Sequence, residues 1–393
     1  MTQLRFGYTG QTGPPFDRGL RALPRIEAQG WDFVRFPDQM GSTHPYGMMP
    51  ADVSPPDDPE ALISTYGSQW YGSFELMSAA AVSTRNLGLQ CAVIDPLRRS
   101  PSVFAQEAMS ITHLSGGRAV WCIGSGEQKQ FEPFGETRTK PVDRMIEAVH
   151  VMNTLWDNAY RPVSRESEYW PLKDAVFPLP LYEGRKPVIR AVGGGPRVEQ
   201  LAGELCDGWM TFLPGGARND PAVIAESVRN VRAYASAAQR DPDALDFSAM
   251  AMILVAPTDD EARELTRHPA IAWPALWGYG AMAGKAWKEL GHEHPFGENA
   301  SWPKTMKVGE ALDPDFARSL PALVPEGIVD ATIIHGSPET VVRRLEPFVA
   351  AGLTELSFLN MTPWVDRTTG SGFAALMSEI VTGLGGKPLL LDA

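Results

Sequence analysis

The run Leu87-Gly-Leu-Gln-Cys-Ala-Val-Ile-Asp-Pro96, the segment Pro101–Leu114 and the run Arg118-Ala-Val-Trp-Cys-Ile-Gly-Ser-Gly-Glu127 decide the fold of this 393-residue chain. The two outer runs are short, apolar and rich in β-branched and small residues, and each is closed by turn or polar residues. Between them Val103, Phe104, Ala108, Ile111 and Leu114 recur at helical spacing. The pattern predicts strand, helix, strand. Strands joined by a helical crossover pair in parallel, and parallel strands are buried on both faces, which accounts for the nearly continuous apolar runs. Asp95 with Arg98 and Arg99, and Ser125 to Gln130, follow directly on strand C-terminal ends, where sheets of this kind build their sites.

The same alternation extends both ways. Strands are expected at Leu4–Tyr8, Trp31–Phe36, Pro187–Val192, Gly208–Phe212, Met250–Val255, Ala331–His335 and Leu356–Leu359, with helices between them. About eight strand-helix units favour a closed α/β architecture, the (β/α)8 TIM barrel, over an open doubly wound sheet. The expectation is a single barrel domain over 1–393 with a large insertion at about 258–330, where Trp273, Trp277, Trp287 and Trp302 stand among Gly, Pro and His. Asp157 to Lys186 reads as a small hairpin outside the main sheet, and Pro37 to Gly67 as a loop far longer than the usual median of about 4 to 6 residues.

Composition narrows the function classes. A hydrophobic share of 44% and a charged share of 21% are those of a soluble globular protein. No apolar run approaches the ~20 residues needed to cross a bilayer, so no integral membrane segment is expected. No basic-then-apolar leader precedes the first strand, and the expected location is cytoplasmic. The net charge of -12, with no cluster of Lys and Arg, argues against a nucleic-acid partner. Cys91, Cys122 and Cys206 lie in or beside apolar runs and read as buried thiols. His292 and His294 flank Glu293 at a spacing that shares no helical face, so no metal is expected. Gly-Ser-Gly-Glu lacks the second spacer of a nucleophile elbow and gives no support to hydrolase chemistry.

Two glycine clusters follow strands. Gly193-Gly194-Gly195-Pro196 opens a helix, so backbone can approach an anion at a helix N-terminus, and Arg197 adds charge; the plain alternative is a tight turn. Gly124-Ser125-Gly126-Glu127 is the second. Asp38 and Glu127 present carboxylates beyond two strand ends, and His44 stands in the long loop as a possible proton donor.

Phe33-Val-Arg-Phe-Pro-Asp-Gln39, Leu87 to Pro96, Pro101-Ser-Val-Phe-Ala-Gln-Glu107, Gly124 to Glu127 and Ala191-Val-Gly-Gly-Gly-Pro-Arg197 together resemble the bacterial-luciferase-like barrel enzymes. More narrowly the chain resembles their coenzyme F420 (deazaflavin) dependent branch, and Ser164 to Leu172 with Pro180 to Gly184, and Gly291 to Gly297, look most like its phthiodiolone dimycocerosate ketoreductases. The resemblance implies F420 at the C-terminal rim, with FMN as the alternative, and an apolar small-molecule substrate reduced at a carbonyl or activated double bond. It implies a non-prolyl cis peptide at Ala92-Val93, so that Cys91, Ala92 and Val93 lie under the ring. Ser125, Gly126, Glu127 and Gln130 would face the ring and its side chain, Asp38 would be the aspartate after the second strand, and Gly193, Gly194, Gly195, Pro196 and Arg197 would take the phosphate. It also implies a homodimer. The family's histidine after the aspartate is here Gln39, which hydrogen-bonds but exchanges no proton near neutral pH, so proton transfer falls to His44, Glu127 or water. Two alternatives stay open: an FMN-dependent monooxygenase, because the fold does not fix function, and a non-catalytic deazaflavin-binding protein, to which the missing histidine points.

Overall fold

A computed structural model of the protein describes residues 3–9, 16–41, 70–278, 284–306, 319, 321–366 and 370–391. His44 and most of the predicted long loop lie outside them. The strands are β1 (Arg5–Thr9), β2 (Phe33–Phe36), β3 (Gly88–Ile94), β4 (Ala119–Ile123), β5 (Val163–Arg165), β6 (Leu172–Ala175), β7 (Val188–Val192), β8 (Gly208–Leu213), β9 (Asp246–Val255), β10 (Ile334–Gly336) and β11 (Glu355–Asn360). β9, β11, β1, β2, β3, β4, β7 and β8 pair in that order, and β8 returns to β9, so eight parallel strands close a (β/α)8 barrel. β5 and β6 form the separate antiparallel hairpin that the alternation of the sequence predicts.

Helices cover the outside where their apolar stripes require it. Pro101–Leu114 buries Phe104, Ala105, Ala108, Met109 and Ile111, and Pro141–Asp157 buries Met145, Val149 and Met152. Phe104, Phe74 and Trp121 interlock as ring pairs at centroid separations of 4.8 to 5.5 Å.

The barrel interior has two layers of opposite character. Because successive residues of a strand face opposite ways, Gln90 and Ala92 of β3 share the inner face, as do Arg190 and Val192 of β7, Ser248 and Met250 of β9, and Ser357 and Leu359 of β11. The lower members form a polar network: Arg35 donates to Gln90 Oε1 at 2.6 Å and to Ser248 Oγ at 2.9 Å, and also to Ser357. Arg190 pairs with Glu355 and, at 2.7 Å, with Asp246. The upper members, Ala92, Cys122, Val192, Met210, Met250 and Leu359, form an apolar layer just below the C-terminal mouth.

Two predicted strands are corrected. Ala331 and Thr332 end a helix, Glu326–Thr332, whose last hydroxyl bonds back to the Ile328 carbonyl at 2.6 Å, and β10 begins only at Ile334. β10 does not close the barrel; it extends the far end of β9. β9 starts four residues before the predicted Met250, because its inward Ser248 and terminal Asp246 interrupt the apolar run. The Trp-rich region folds into short helices around its own apolar cluster, in which Trp273, Trp277, Trp287 and Trp302 pack with Leu254 and Met361 from the ends of β9 and β11.

Candidate active site at the barrel mouth

Three turns at the C-terminal ends of β2, β3 and β4 converge. Beyond β2, the buried Asp38 carboxylate accepts from Ser73 Oγ at 2.8 Å and from Arg99 at 3.3 Å, and pairs with Arg98. Beyond β3, Asp95 accepts from the N–H groups of Leu97 and Arg98 at 3.1 Å each, and from Arg98 Nε at 2.7 Å. Arg98 thus ties the turns beyond β2 and β3 together. The Ala92–Val93 peptide is cis, as the resemblance implies.

Beyond β4, Arg138 fastens the Ser125-Gly126 turn by donating to the Ser125 and Gly126 carbonyls at 3.1 and 2.9 Å and to Ser125 Oγ at 3.2 Å. Gly126 is required there: its φ is +73°, and a Cβ would sit 2.8 Å from the Phe131 ring. Glu127 then reaches across the mouth. Its Oε1 accepts from the indole N–H of Trp302 at 2.5 Å, and its Oε2 lies 3.2 Å from Lys129 Nζ and 3.4 Å from Gln39 Nε2. Gln39 Oε1 accepts from Gln130 Nε2 at 2.9 Å and from Lys129. The expected residues Asp38, Gln39, Glu127 and Gln130 are therefore one connected cluster.

Burial by itself would raise the Glu127 carboxyl, but the Lys129 ammonium and the hydrogen bonds from Trp302, Lys129 and Gln39 outweigh it, so the group is held below the ordinary carboxylate range. Burial pushes the Lys129 ammonium below its ordinary value, with Glu127 pulling the other way. In this arrangement the Glu127 carboxylate has three donors directed at it.

On the neighbouring arc, Gly193, Gly194 and Gly195 lead from β7 into helix Pro196–Leu205. Gly193 and Gly195 have φ of +128° and +96°, and a Cβ at Gly194 or Gly195 would meet nothing within 4 Å. Among the described residues no acceptor bonds the N–H of Gly194 or Gly195. This is an open backbone cradle at a helix N-terminus, suited to an anion. Arg197 is exposed beside it and pairs with Asp143. Cys91 belongs to the outer core against the helices, so its thiol does not share the inner layer with Ala92.

Sequence reasoning missed Lys129 as a member of the site and placed Trp302 only in the Trp-rich insertion. The available signal was the glutamine at position 39, since a site that lacks its histidine needs another polar group nearby.

The model of the family described as luciferase-like monooxygenase matches residues 1–355. A phthiodiolone/phenolphthiodiolone dimycocerosates ketoreductase of Mycobacterium tuberculosis is 32% identical over 274 residues, 70% of this chain and 70% of its own. A 5,10-methylenetetrahydromethanopterin reductase of Archaeoglobus fulgidus is 28% identical over 292 residues, 72% of this chain and 80% of its own. Among solved structures, an F420-dependent secondary alcohol dehydrogenase in complex with an F420-acetone adduct superposes with a TM-score of 0.68 at 21% identity, over 97% of this chain and 99% of that one, a likeness of fold. A closed parallel barrel, a site at its C-terminal mouth and a family match over most of the chain lead to one conclusion: the protein belongs to the luciferase-like monooxygenase family.

Proposed function

We propose that the protein is an F420-dependent oxidoreductase that transfers a hydride between reduced deazaflavin and a carbonyl or activated double bond of an apolar substrate. The observation that carries this reading is the pairing of an open glycine cradle at a helix N-terminus with an apolar inner layer beside it. A phosphate-bearing tricyclic cofactor needs both: backbone donors for the phosphate and an apolar bed for the ring. The named activities of the ketoreductase and reductase relatives support the same class of chemistry.

The bound deazaflavin would supply the hydride, and the protein would bind and orient. In this reading Gly194, Gly195 and the first turn of helix Pro196–Leu205 hold the phosphate. Ala92, Val93, Val192 and Met210 bed the ring, Gln39 hydrogen-bonds the substrate oxygen, and the Trp302 side of the mouth excludes water. Asp38 with Arg98 and Arg99 fixes the wall on which Gln39 stands. Val82, Val103 and Leu114, all exposed on two adjacent helices, support association as a homodimer. Sedimentation at micromolar concentration should then give twice the 42.9 kDa chain mass.

Titration of the purified protein with F420 and with FMN tests the cofactor, and stopped-flow mixing of the reduced complex with a panel of apolar ketones and enones tests the reaction. Tighter binding of FMN, oxygen-dependent turnover, or no ketone or enone that oxidises the cofactor faster than buffer does would overturn the reading.

A further inference from the structure

The site holds one buried cation that the reading above leaves without work. Lys129 follows β4 in the short turn Gln128–Gln130, and its side chain is 2% exposed. An ammonium has three N–H donors, yet among the described residues Lys129 Nζ has two acceptors, Gln39 Oε1 and Glu127 Oε2. A buried donor without an acceptor is costly, which makes the third N–H a place for an incoming oxygen.

Resting on the oxidoreductase reading, we infer that Lys129 is the acid of this site: with a ketone held at Gln39, its ammonium gives a proton to the carbonyl oxygen. As the hydride reaches the carbonyl carbon, the C=O π pair moves to oxygen and takes the Nζ proton. The products are the alcohol, oxidised deazaflavin and a neutral amine; the proton that the dihydro ring sheds along with its hydride passes to water and restores the ammonium, so no net proton is consumed.

Alternatives within the cluster are weaker. Gln39 exchanges no proton, and Glu127 is already an anion with three donors directed at it. None of the histidines in the described residues hydrogen-bonds Gln39, Glu127 or Lys129: His113, His268, His294 and His335 bond elsewhere, and His150 and His292 have no bond to the cluster. The charged groups that act on Lys129 are Glu127 on its own turn and Arg98 from the β3 turn; Arg98 is itself paired with Asp95 and with Asp38 beyond β2, and Arg138, bonded to the Gly126 carbonyl, acts on Glu127. Helix Trp302–Thr305 packs over the turn and contributes the neutral Trp302 indole. Burial, opposed by the single close carboxylate, lowers the ammonium's proton affinity and brings it nearer to a useful acid at neutral pH.

The test compares wild type, Lys129→Met and Lys129→Arg by single-turnover oxidation of reduced F420 with an apolar ketone from pH 6 to 11, alongside F420 affinity and melting temperature. Wild type should lose rate along an alkaline limb as Lys129 deprotonates. Lys129→Met should bind F420 with affinity within a few-fold of wild type, react roughly 100-fold more slowly and lack the limb. Lys129→Arg keeps the charge and guards against a folding failure of the first variant; it too should lack the limb, because its guanidinium does not titrate in this range. Either variant, folded and with both wild-type rate and wild-type limb, would overturn the assignment of Lys129 alone. Absence of turnover in wild type would overturn the oxidoreductase reading, and this inference with it.

Discussion

Glu355→Gln should cost the fold about 3 to 5 kcal/mol, the usual consequence of breaking a buried ion pair by removing one partner. Glu355 is fully buried at the base of the barrel interior, where it pairs with Arg190 and, at 2.7 Å, with Arg5, and accepts from Gln90 Nε2 at 2.9 Å. Burial acts to raise its carboxyl, but Arg190, Arg5 and the Gln90 hydrogen bond overcome it and lower the pKa from 4.5 to about 2. A difference of that size corresponds to about 3 kcal/mol of stability in the ionised state. In the glutamine variant the one carboxylate left to Arg190 among the described residues is Asp246, whose side chain is 31% exposed. Since the folded pKa lies below the unfolded one, the unfolded chain binds more protons between pH 4.5 and 2. The stability contribution is complete above pH 4.5 and is lost as pH falls toward 2. Urea denaturation followed by circular dichroism, repeated from pH 7 down to pH 3, reads both effects. The variant's deficit should be full at pH 7 and shrink below pH 4.5. A deficit under about 1 kcal/mol at pH 7, or one that does not change with pH, would refute the reasoning that the ion pair holds the barrel base together.

Gly194→Asp places a carboxylate in open space at the mouth of the anion cradle. The melting temperature should be unchanged and F420 affinity, measured by fluorescence titration, should fall at least about tenfold by charge repulsion at the phosphate. Glu127→Gln removes the counter-charge of Lys129, so the alkaline limb of the single-turnover rate should move about one unit or more to lower pH. A loss of roughly 100-fold in the hydride step with the limb left in place would instead return the proton to Glu127. Buried His294, whose Nδ1 accepts from the Phe296 N–H at 3.1 Å, is held below the ordinary 6.5 by burial despite its bond to the Leu276 carbonyl. Its folded pKa is depressed, so its contribution is present above 6.5 and lost on acidification. Hydrogen exchange in residues 284–306 should therefore be faster at pH 5.5 than at pH 7.5 after correction for intrinsic rates, and no difference would count against it.

The order of strands and helices was legible in the sequence because each strand is a short apolar run and each outer helix carries one apolar stripe, both local signals. The glycine cradle was legible for the same reason: Gly193 to Pro196 stands between a strand and a helix, and any such turn leaves donors free. The lower barrel layer was not. Arg35, Gln90, Arg190, Ser248 and Glu355 are scattered polar residues of five largely apolar strands, distant in sequence, and only closure of the barrel makes them one another's partners. The same limit hid Lys129. From sequence it is a lysine in a polar turn, where a solvated role is the ordinary expectation; its burial follows from Glu127, Gln39 beyond β2 and the helix of Trp302, 173 positions away, meeting over one turn. Local pattern determines which face of an element is apolar, whereas the charge environment of a side chain depends on which distant elements are brought against it.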